Sequence, residues 1–201
     1  MEPGMKRALK VGGSVLLALL VVVLGTLRVI GLDPADTGAY GRPGMWLQGE
    51  LVTTPVTDWS FTDKIPHIAV ETRTWYGIPH SITTNNFSHN GQLFITATYS
   101  QGGKGDDVVF PRDKFWTSNV ASDPRVRLKI EGKLYEMSMI VVADRNEAET
   151  ALESKWKKYP EMRPKRTEEH IHLFKLYQRN IPEYGGGLYR DGKLQGMAEH
   201  P

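Results

Sequence analysis

Apolar and polar residues alternate along several short segments of this chain, as in β-strands that bury one face and expose the other. The clearest case is residues 126–130, where every second side chain is apolar and basic side chains lie between them. A period of two is the periodicity of a strand. Glu131-Gly132-Lys133 then predicts a tight turn, and residues 134–142 are predicted to return as the partner strand.

Four earlier strands follow from similar patterns and from turn signals between them. We predict them at residues 45–52, 68–74, 80–87 and 93–99. Pro55 ends the first, because proline cannot donate to a ladder of hydrogen bonds. The Asn90-Gly91 dipeptide favours a two-residue turn between the third and the fourth. We therefore expect mostly hairpin-linked, antiparallel strands.

Two helices are predicted between the later strands. Pro111 suits a first helical position and Pro124 cannot continue a helix, so residues 112–122 are bracketed as one short helix. Residues 146–159 carry an apolar stripe at helical spacing. Asn146 at the start of this second helix resembles the cap of a capping box.

The last segment with a pattern, residues 170–179, fits neither the strand period nor the helix period cleanly. We assign it as a strand. The elements together predict a mainly β fold with α-helices, an antiparallel barrel decorated by two helices.

The N-terminal part of the chain has a different pattern, because residues 11–27 contain no charged side chain. At about 1.5 Å per residue, a helix of this length covers most of a hydrocarbon core of roughly 30 Å. Three basic residues precede the run and only Arg28 follows it closely. The positive-inside rule therefore keeps the N-terminus cytoplasmic and the globular domain extracytoplasmic. A cleaved signal peptide is the alternative, but no convincing small-x-small cleavage site follows the run.

We accordingly predict a single-pass membrane protein with four parts. They are an N-terminal transmembrane anchor at residues 1–31, a linker at 32–44, a barrel domain at 45–180 and a C-terminal tail at 181–201. The linker assignment rests on its Pro, Gly, Asp and Thr content.

Charge and composition argue against several classes of function. Among 201 residues, Lys+Arg 25 against Asp+Glu 23 give a net charge of +2, which does not suit nucleic acid as the main partner. The absence of cysteine excludes disulfide bonds, thiolate metal sites and a cysteine nucleophile. His170 and His172 would share one face of a strand, but no third ligand accompanies them, and no metal site is predicted.

The order and spacing of four segments resemble a known superfamily. The segments read DWSF, VETRTWYGIPHSIT, LFITATY and KFWTSNVASDPRVRLKIEGKLYE. Over roughly residues 45–179 the chain resembles the flavin-binding split-barrel superfamily. That superfamily includes the pyridoxamine-phosphate-oxidase-like and the deazaflavin-dependent nitroreductase-like proteins. The resemblance implies a six- to seven-stranded antiparallel split barrel and a homodimer.

The resemblance also implies a cofactor, FMN or a deazaflavin, held against the barrel between two subunits. Carried over by position, the residues predicted to bind it are Arg73, Ser81, Thr83, Thr96, Thr98, Lys104, Lys114 and Trp116. Hydroxyl groups suit ring carbonyls and nitrogens, which need neutral donors and acceptors. Lys104 in a glycine-rich loop, or Arg73, supplies a cation for the phosphate. Trp116 is predicted to stack on the ring or to seal its edge.

The activity that this resemblance implies is that of a membrane-anchored oxidoreductase, in which the flavin carries out hydride transfer with a small-molecule substrate. No protein residue is assigned as catalytic. His80 leaves two interpretations open, a proton donor beside the ring or a histidine with a structural role. A non-enzymatic split-barrel module, for dimerisation or small-molecule binding, remains the alternative. It is favoured by a single arginine in residues 71–74 and by Asp106 and Asp107, which would repel a phosphate.

Overall fold

Six antiparallel strands close into a barrel around an apolar interior. The structure is a computed structural model that describes residues 3–34, 43–98, 114–163, 171–179, 188–190 and 193–195. The helices are α1 (Pro3–Ile30), α2 (Phe115–Ser122) and α3 (Arg145–Lys158), and two short 3-10 helices occupy Ser60–Lys64 and Pro160–Met162. The strands are β1 (Glu50–Leu51), β2 (His67–Thr72), β3 (His80–His89), β4 (Gln92–Thr98), β5 (Arg125–Ile130), β6 (Lys133–Val141), β7 (Ile171–Gln178), β8 (Leu188–Arg190) and β9 (Lys193–Gln195).

The strand order around the barrel is β5-β2-β3-β4-β7-β6, and pairing of β6 with β5 closes the ring. β1 adds to β6 as a short parallel strand. This arrangement confirms the six- to seven-stranded antiparallel split barrel expected from the sequence, including the assignment of β7 as a strand. β8 and β9 form a separate two-stranded hairpin within the predicted tail.

Both predicted hairpin turns are present, and their backbone explains the sequence. The β3–β4 turn has φ of 50° at Asn90 and 75° at Gly91, and the β5–β6 turn has 48° at Glu131 and 80° at Gly132. Positive φ at both central residues is the requirement of a type I′ turn, whose twist matches that of the flanking strands. Local turn chemistry thus sets the register of both hairpins.

The barrel interior is built from one face of each strand, as the alternation predicts. Its fully buried members include Val70, Ile95, Leu128, Met139 and Phe174. Burying each such side chain stabilises the fold by about 1.5–3 kcal/mol relative to leaving it exposed. The interior is therefore the main source of stability in the described part of the chain.

α2 packs its apolar side against this interior. Trp116 and Val120 belong to the core cluster, and buried Asn119 donates from Nδ2 to Thr72 Oγ1 at 3.0 Å. The helix begins at Phe115, later than the predicted 112, although residues 112 and 113 lie outside the described ranges. Asn119 belongs to the segment KFWTSNVASDPRVRLKIEGKLYE quoted above, and it attaches the helix to β2.

α3 covers the outer surface of the barrel, where Ala151 packs with Phe87, Phe94 and Leu173. The predicted cap of this helix was wrong by two residues. The carboxylate of Asp144 accepts from Glu147 N at 2.8 Å, so Asp144 is the N-cap and Asn146 lies inside the first turn.

The first strand is shorter than predicted, since only Glu50–Leu51 of residues 45–52 pairs as a strand. The backbone groups before it have other partners. Met45 N donates to Leu32 O at 2.6 Å, and Leu47 N donates to Glu71 Oε2 at 2.7 Å. Residues 45–48 therefore run across the barrel surface without joining a ladder over their length.

α1 is long and apolar enough to cross a membrane, with a mean hydropathy of 2.4 in its most apolar window, and a signal sequence would meet the same criteria. The helix ends at Ile30, and Leu32 N already donates to Trp46 O at 3.1 Å. Gln48 Nε2 donates to Arg28 O at 3.0 Å, and Asp33 forms an ion pair with Lys129. The described ends of the segment predicted as a linker therefore contact the barrel.

Candidate functional site

The barrel is split between β3 and β4. These two strands pair only over residues 86–89 and 92–95. Beyond that point, residues 96–98 of β4 continue with β7. Residues 80–85 of β3 pair with β2. The two strands are therefore not paired with each other between residues 80–85 and 96–98, and we call this unpaired region the split.

On both edges of the split, every second side chain points to the outer surface of the barrel. Cross-strand partners share a face, and core residue Val70 pairs with Ile82, so Ile82 faces inward and its neighbours face outward. Ile95 is likewise a core residue, and the next position on β4 faces outward. The outward-facing polar positions at the split are Ser81, Thr83 and Asn85 on β3 and Thr96 on β4.

Two of these residues carry buried polar atoms that have no hydrogen-bond partner among the described residues, Ser81 Oγ and Asn85 Oδ1. The amide nitrogen of Asn85 donates to Met162 Sδ at 3.0 Å. Leaving a buried polar group without a partner costs about 1–3 kcal/mol. The split thus offers one hydroxyl and one amide oxygen to a polar, uncharged ligand.

Residues 43–45, which we call the arm, cover the Ser81 end of the split. Gly44 N donates to Ser81 O at 2.8 Å, and Ser81 N donates to Gly44 O at 3.0 Å. These two bonds occupy the edge of β3 at the position where β4 has left it. As a result the Ser81 side chain is fully buried.

Lys155 reaches the split from α3 and was not predicted to belong to the site. Its side chain is 4% exposed, and Nζ donates to Thr96 Oγ1 at 2.7 Å and lies 4.8 Å from the ring centroid of Trp156. The signal in the sequence is a lysine that interrupts the apolar stripe of α3, four residues after buried Ala151. A lysine in such a position is buried only when its ammonium has a polar partner.

The structure therefore places Ser81, Thr83 and Asn85 on one outward face of β3, and Thr96, bonded to Lys155, on the β4 edge of the split. Backbone pairing of Thr98 with Ile171 continues β4 along the same edge. Lys104 lies outside the described residues.

The other three predicted ligands lie elsewhere. Trp116 is a core residue whose ring lies 5.5 Å from that of Phe174, so it packs inside the barrel. Lys114 precedes α2, where its carbonyl accepts from Thr117 Oγ1 at 2.7 Å. The half-exposed Arg73 guanidinium lies 4.0 Å from the Asp123 carboxylate. None of these three contacts the polar side chains of the split.

The basic residues of β5 are paired with carboxylates. Arg125 binds Asp123 at 2.6 Å and Arg127 binds Glu136 at 2.6 Å. Arg127 also lies 3.8 Å from Glu71, whose pKa is raised mainly by burial and held back by its bond from Leu47 N. The outer face of β5 therefore presents little net positive charge.

His80 faces away from Ser81. It pairs with inward-facing Thr72, and its ring lies 4.9 Å from that of Phe115. Burial lowers the pKa of the imidazole below its usual value of 6.5. This arrangement favours the structural interpretation of His80 over that of a proton donor to a ring in the split.

A separate open groove of about 500 Å³ lies between the β3–β4 turn and the start of α3. Several of its polar side chains already have partners. Lys175 binds Glu147 at 2.9 Å, and His89 Nδ1 lies 2.9 Å from Ser154 Oγ. We assign no site to this groove.

No protein-family model and no curated protein matches this chain. Among solved structures, the chain is similar to a domain-swapped dimer, with 19% identity over 56% of this chain and 81% of that one and a TM-score of 0.44. It is also similar to an F420-H2 dependent reductase, with 17% identity over 56% and 95% of the two chains and a TM-score of 0.40. A third is a candidate pyridoxamine 5′-phosphate oxidase from Listeria innocua, with 11% identity over 58% and 86% and a TM-score of 0.40. The split-barrel fold itself is confirmed by the strand order described above.

Proposed function

We propose that this chain is a membrane-anchored split-barrel protein that binds FMN or a deazaflavin in the split. It would act as an oxidoreductase on a small-molecule substrate, as a homodimer anchored by α1. The single observation that carries the proposal is the pair of buried, unpartnered polar atoms on outward-facing β3, Ser81 Oγ and Asn85 Oδ1.

The chemistry of these groups fits an isoalloxazine-type ring. Ring carbonyls accept hydrogen bonds and ring N–H groups donate them, so the ring needs neutral partners of both kinds. A serine hydroxyl can donate or accept, and an amide oxygen accepts. Thr83 lies between the two on the same face. A row of such groups along one strand matches the edge of a planar heterocycle.

The cofactor, when bound, would supply the hydride chemistry. The residues of the chain would orient it and exclude water. Ser81, Thr83 and Asn85 would hold the ring edge from β3. Thr96, whose hydroxyl oxygen already accepts from the Lys155 ammonium, would present its hydroxyl group polarised by that charge. No residue in the split is assigned to proton transfer.

The phosphate of the cofactor is assigned to Lys104 in the glycine-rich loop or to Arg73, as the sequence predicts, and we add Lys114 as a further candidate. Arg73 is the weaker of the described candidates, because Asp123 lies within 4.0 Å of it. A phosphate bound there would compete with this carboxylate.

A non-enzymatic barrel module is the second candidate, and the burial of Ser81 under the arm favours it. In that case the fold would serve dimerisation or binding of a small molecule, and the arm would close the split permanently.

Titration of the full chain in detergent with FMN and with a deazaflavin tests the proposal through the fluorescence of each cofactor. We expect at least one to be quenched on binding. Thr83→Val should weaken that binding about fivefold, the loss expected for one hydrogen bond. A chain that leaves the fluorescence of both cofactors unchanged contradicts the proposal.

Thr84→Val is the matched control. It makes the same change one residue away, at the position that pairs with core residue Ile68 and faces the barrel interior. The affinity for the cofactor should stay within the error of the wild-type value. Equal weakening by both variants would mean that Thr83 acts through barrel stability and does not contact the ligand.

A further inference from the structure

The arm segment at Gly44 fits its position only because it carries no side chain. A Cβ atom at this residue would overlap the carbonyl oxygen of Leu32 and would lie 2.6 Å from both Pro34 N and Ser81 Oγ. Atoms at such separations repel, so any larger residue forces the arm away from β3. The arm is wedged between β3 and the stretch that leaves α1.

Apart from this wedge, two backbone hydrogen bonds hold the arm to β3, both between Gly44 and Ser81 at 2.8 and 3.0 Å. The isolated bridge does not extend into a ladder within the described residues. A contact held by few bonds opens at a lower free energy than the barrel unfolds. The arm can therefore detach while the barrel stays closed.

We infer that residues 43–45 form a strap over the Ser81 end of the split, and that cofactor enters and leaves when this strap detaches from β3. The inference rests on the proposed function for the identity of the ligand. The strap also connects the site to the anchor, because Met45 N and Trp46 O bond to Leu32, two residues beyond Ile30 at the end of α1.

Because the chain has no cysteine, a single introduced thiol can report on the strap without any cofactor. Ser81→Cys places a thiol under the strap, and its rate of reaction with a maleimide is measured on the full chain in detergent. We expect slow labelling in the wild-type background. Adding Gly44→Val should accelerate it about tenfold or more, since both backbone bonds are lost. Gly12→Val, in a helix position with open space around it, should leave the rate unchanged.

Two further reporters serve as controls for access and for folding. Thr83→Cys lies on the same face but outside the Gly44 bridge, and should react quickly in both backgrounds. Ser138→Cys, at a fully buried position of β6, should stay slow in both. Fast labelling of Ser138→Cys together with Gly44→Val would show that this variant is unfolded.

Asp33→Asn then tests whether the strap opens without any change in the strap itself. This variant removes the ion pair with Lys129 and weakens the bond from Gln48 N to Asp33 Oδ1. We expect about a threefold acceleration at Ser81→Cys, the effect of a partly exposed ion pair. The strap is refuted if Ser81→Cys reacts as fast as Thr83→Cys in the wild-type background. The strap is also refuted if neither Gly44→Val nor Asp33→Asn, in a folded chain, accelerates the labelling of Ser81→Cys.

Stopped-flow binding of FMN or a deazaflavin separates this inference from the proposed function. Gly44→Val should raise both the association rate and the dissociation rate of the cofactor. The dissociation constant, which is the ratio of the two, should change less than either rate. Absence of any cofactor binding would refute the proposed function and the gating role, while the thiol rates would still decide whether the strap opens. Binding with unchanged rates would refute the gating role alone.

Discussion

Cross-strand register decides what a single side chain can do in this barrel, and His80 is an example. It directly precedes Ser81, and because successive side chains alternate along a strand the two point to opposite faces of β3. Its partner Thr72 is buried and bonded to Asn119, so the imidazole lies at the end of the barrel near Phe115. Burial there disfavours the charged form of the ring.

We expect the free energy of unfolding to decrease as the pH falls below about 6.5, in part because of His80. Its pKa is lowered by burial in the folded chain, so the unfolded chain binds this proton first and gains stability relative to the fold as the pH falls. Urea unfolding at several pH values checks this, and His80→Gln should show a shallower dependence. An imidazole pKa at or above 6.5, measured by NMR on the folded protein, would contradict the assignment.

At the scale of elements, the last turn of α3 is connected by hydrogen bonds to β3 and to the 3-10 helix Ser60–Lys64. The Lys158 ammonium donates to the carbonyl oxygens of Thr62, Ile65 and Asn86 at 2.9, 2.7 and 2.9 Å. Thr62 belongs to the 3-10 helix Ser60–Lys64 and Ile65 follows it. One side chain thus joins three elements that are distant in sequence.

Lys158→Met should lower the free energy of unfolding by about 2–3 kcal/mol, because three carbonyl groups lose a charged donor. Lys157→Met is the control, since that neighbouring side chain is exposed, and it should change stability by less than about 0.5 kcal/mol. Chemical denaturation of both variants measures the difference. Equal effects would mean that the three bonds contribute nothing beyond the general charge of the helix end.

Elements governed by local chemistry were predictable from the sequence. The hairpins followed from Asn90-Gly91 and from Glu131-Gly132-Lys133, and the strand at residues 126–130 followed from the period of two. Partners distant in sequence were not predictable. No pattern in residues 45–52 indicates that Leu47 N would bind the Glu71 carboxylate instead of a strand. The same holds for Lys155 reaching Thr96 and for Trp116 packing inside the barrel.

At the scale of the whole molecule, the folded unit extends toward α1 beyond the predicted start at residue 45. Leu32 bonds to Met45 and Trp46, and Asp33 pairs with Lys129 of β5. A stretch rich in proline and glycine predicts a loop, but such composition carries no information about where the loop packs. The bonds themselves place residues 32–34 with the barrel.

A chain that begins at residue 31 should therefore be more stable than one that begins at residue 45. The shorter chain lacks the Leu32 bonds, the two Gly44–Ser81 bonds and the Lys129 ion pair, a loss of at least about 2 kcal/mol, and should melt roughly 4–10 °C lower. Thermal denaturation of both chains, followed by circular dichroism, checks this. Equal melting temperatures would show that residues 31–44 add nothing to the fold.

The short connection between α1 and the barrel has a consequence for motion, because Leu32, two residues beyond Ile30, already bonds to Trp46 and Gln48 bonds back to Arg28 of the helix itself. A domain on a long flexible tether rotates independently of its anchor, whereas one joined this closely shares the tilt of the helix. With α1 in a bilayer, as proposed, the split would keep a set height and direction above the lipid surface. Molecules that diffuse laterally in the membrane would then approach it along a different path from those that arrive from bulk water.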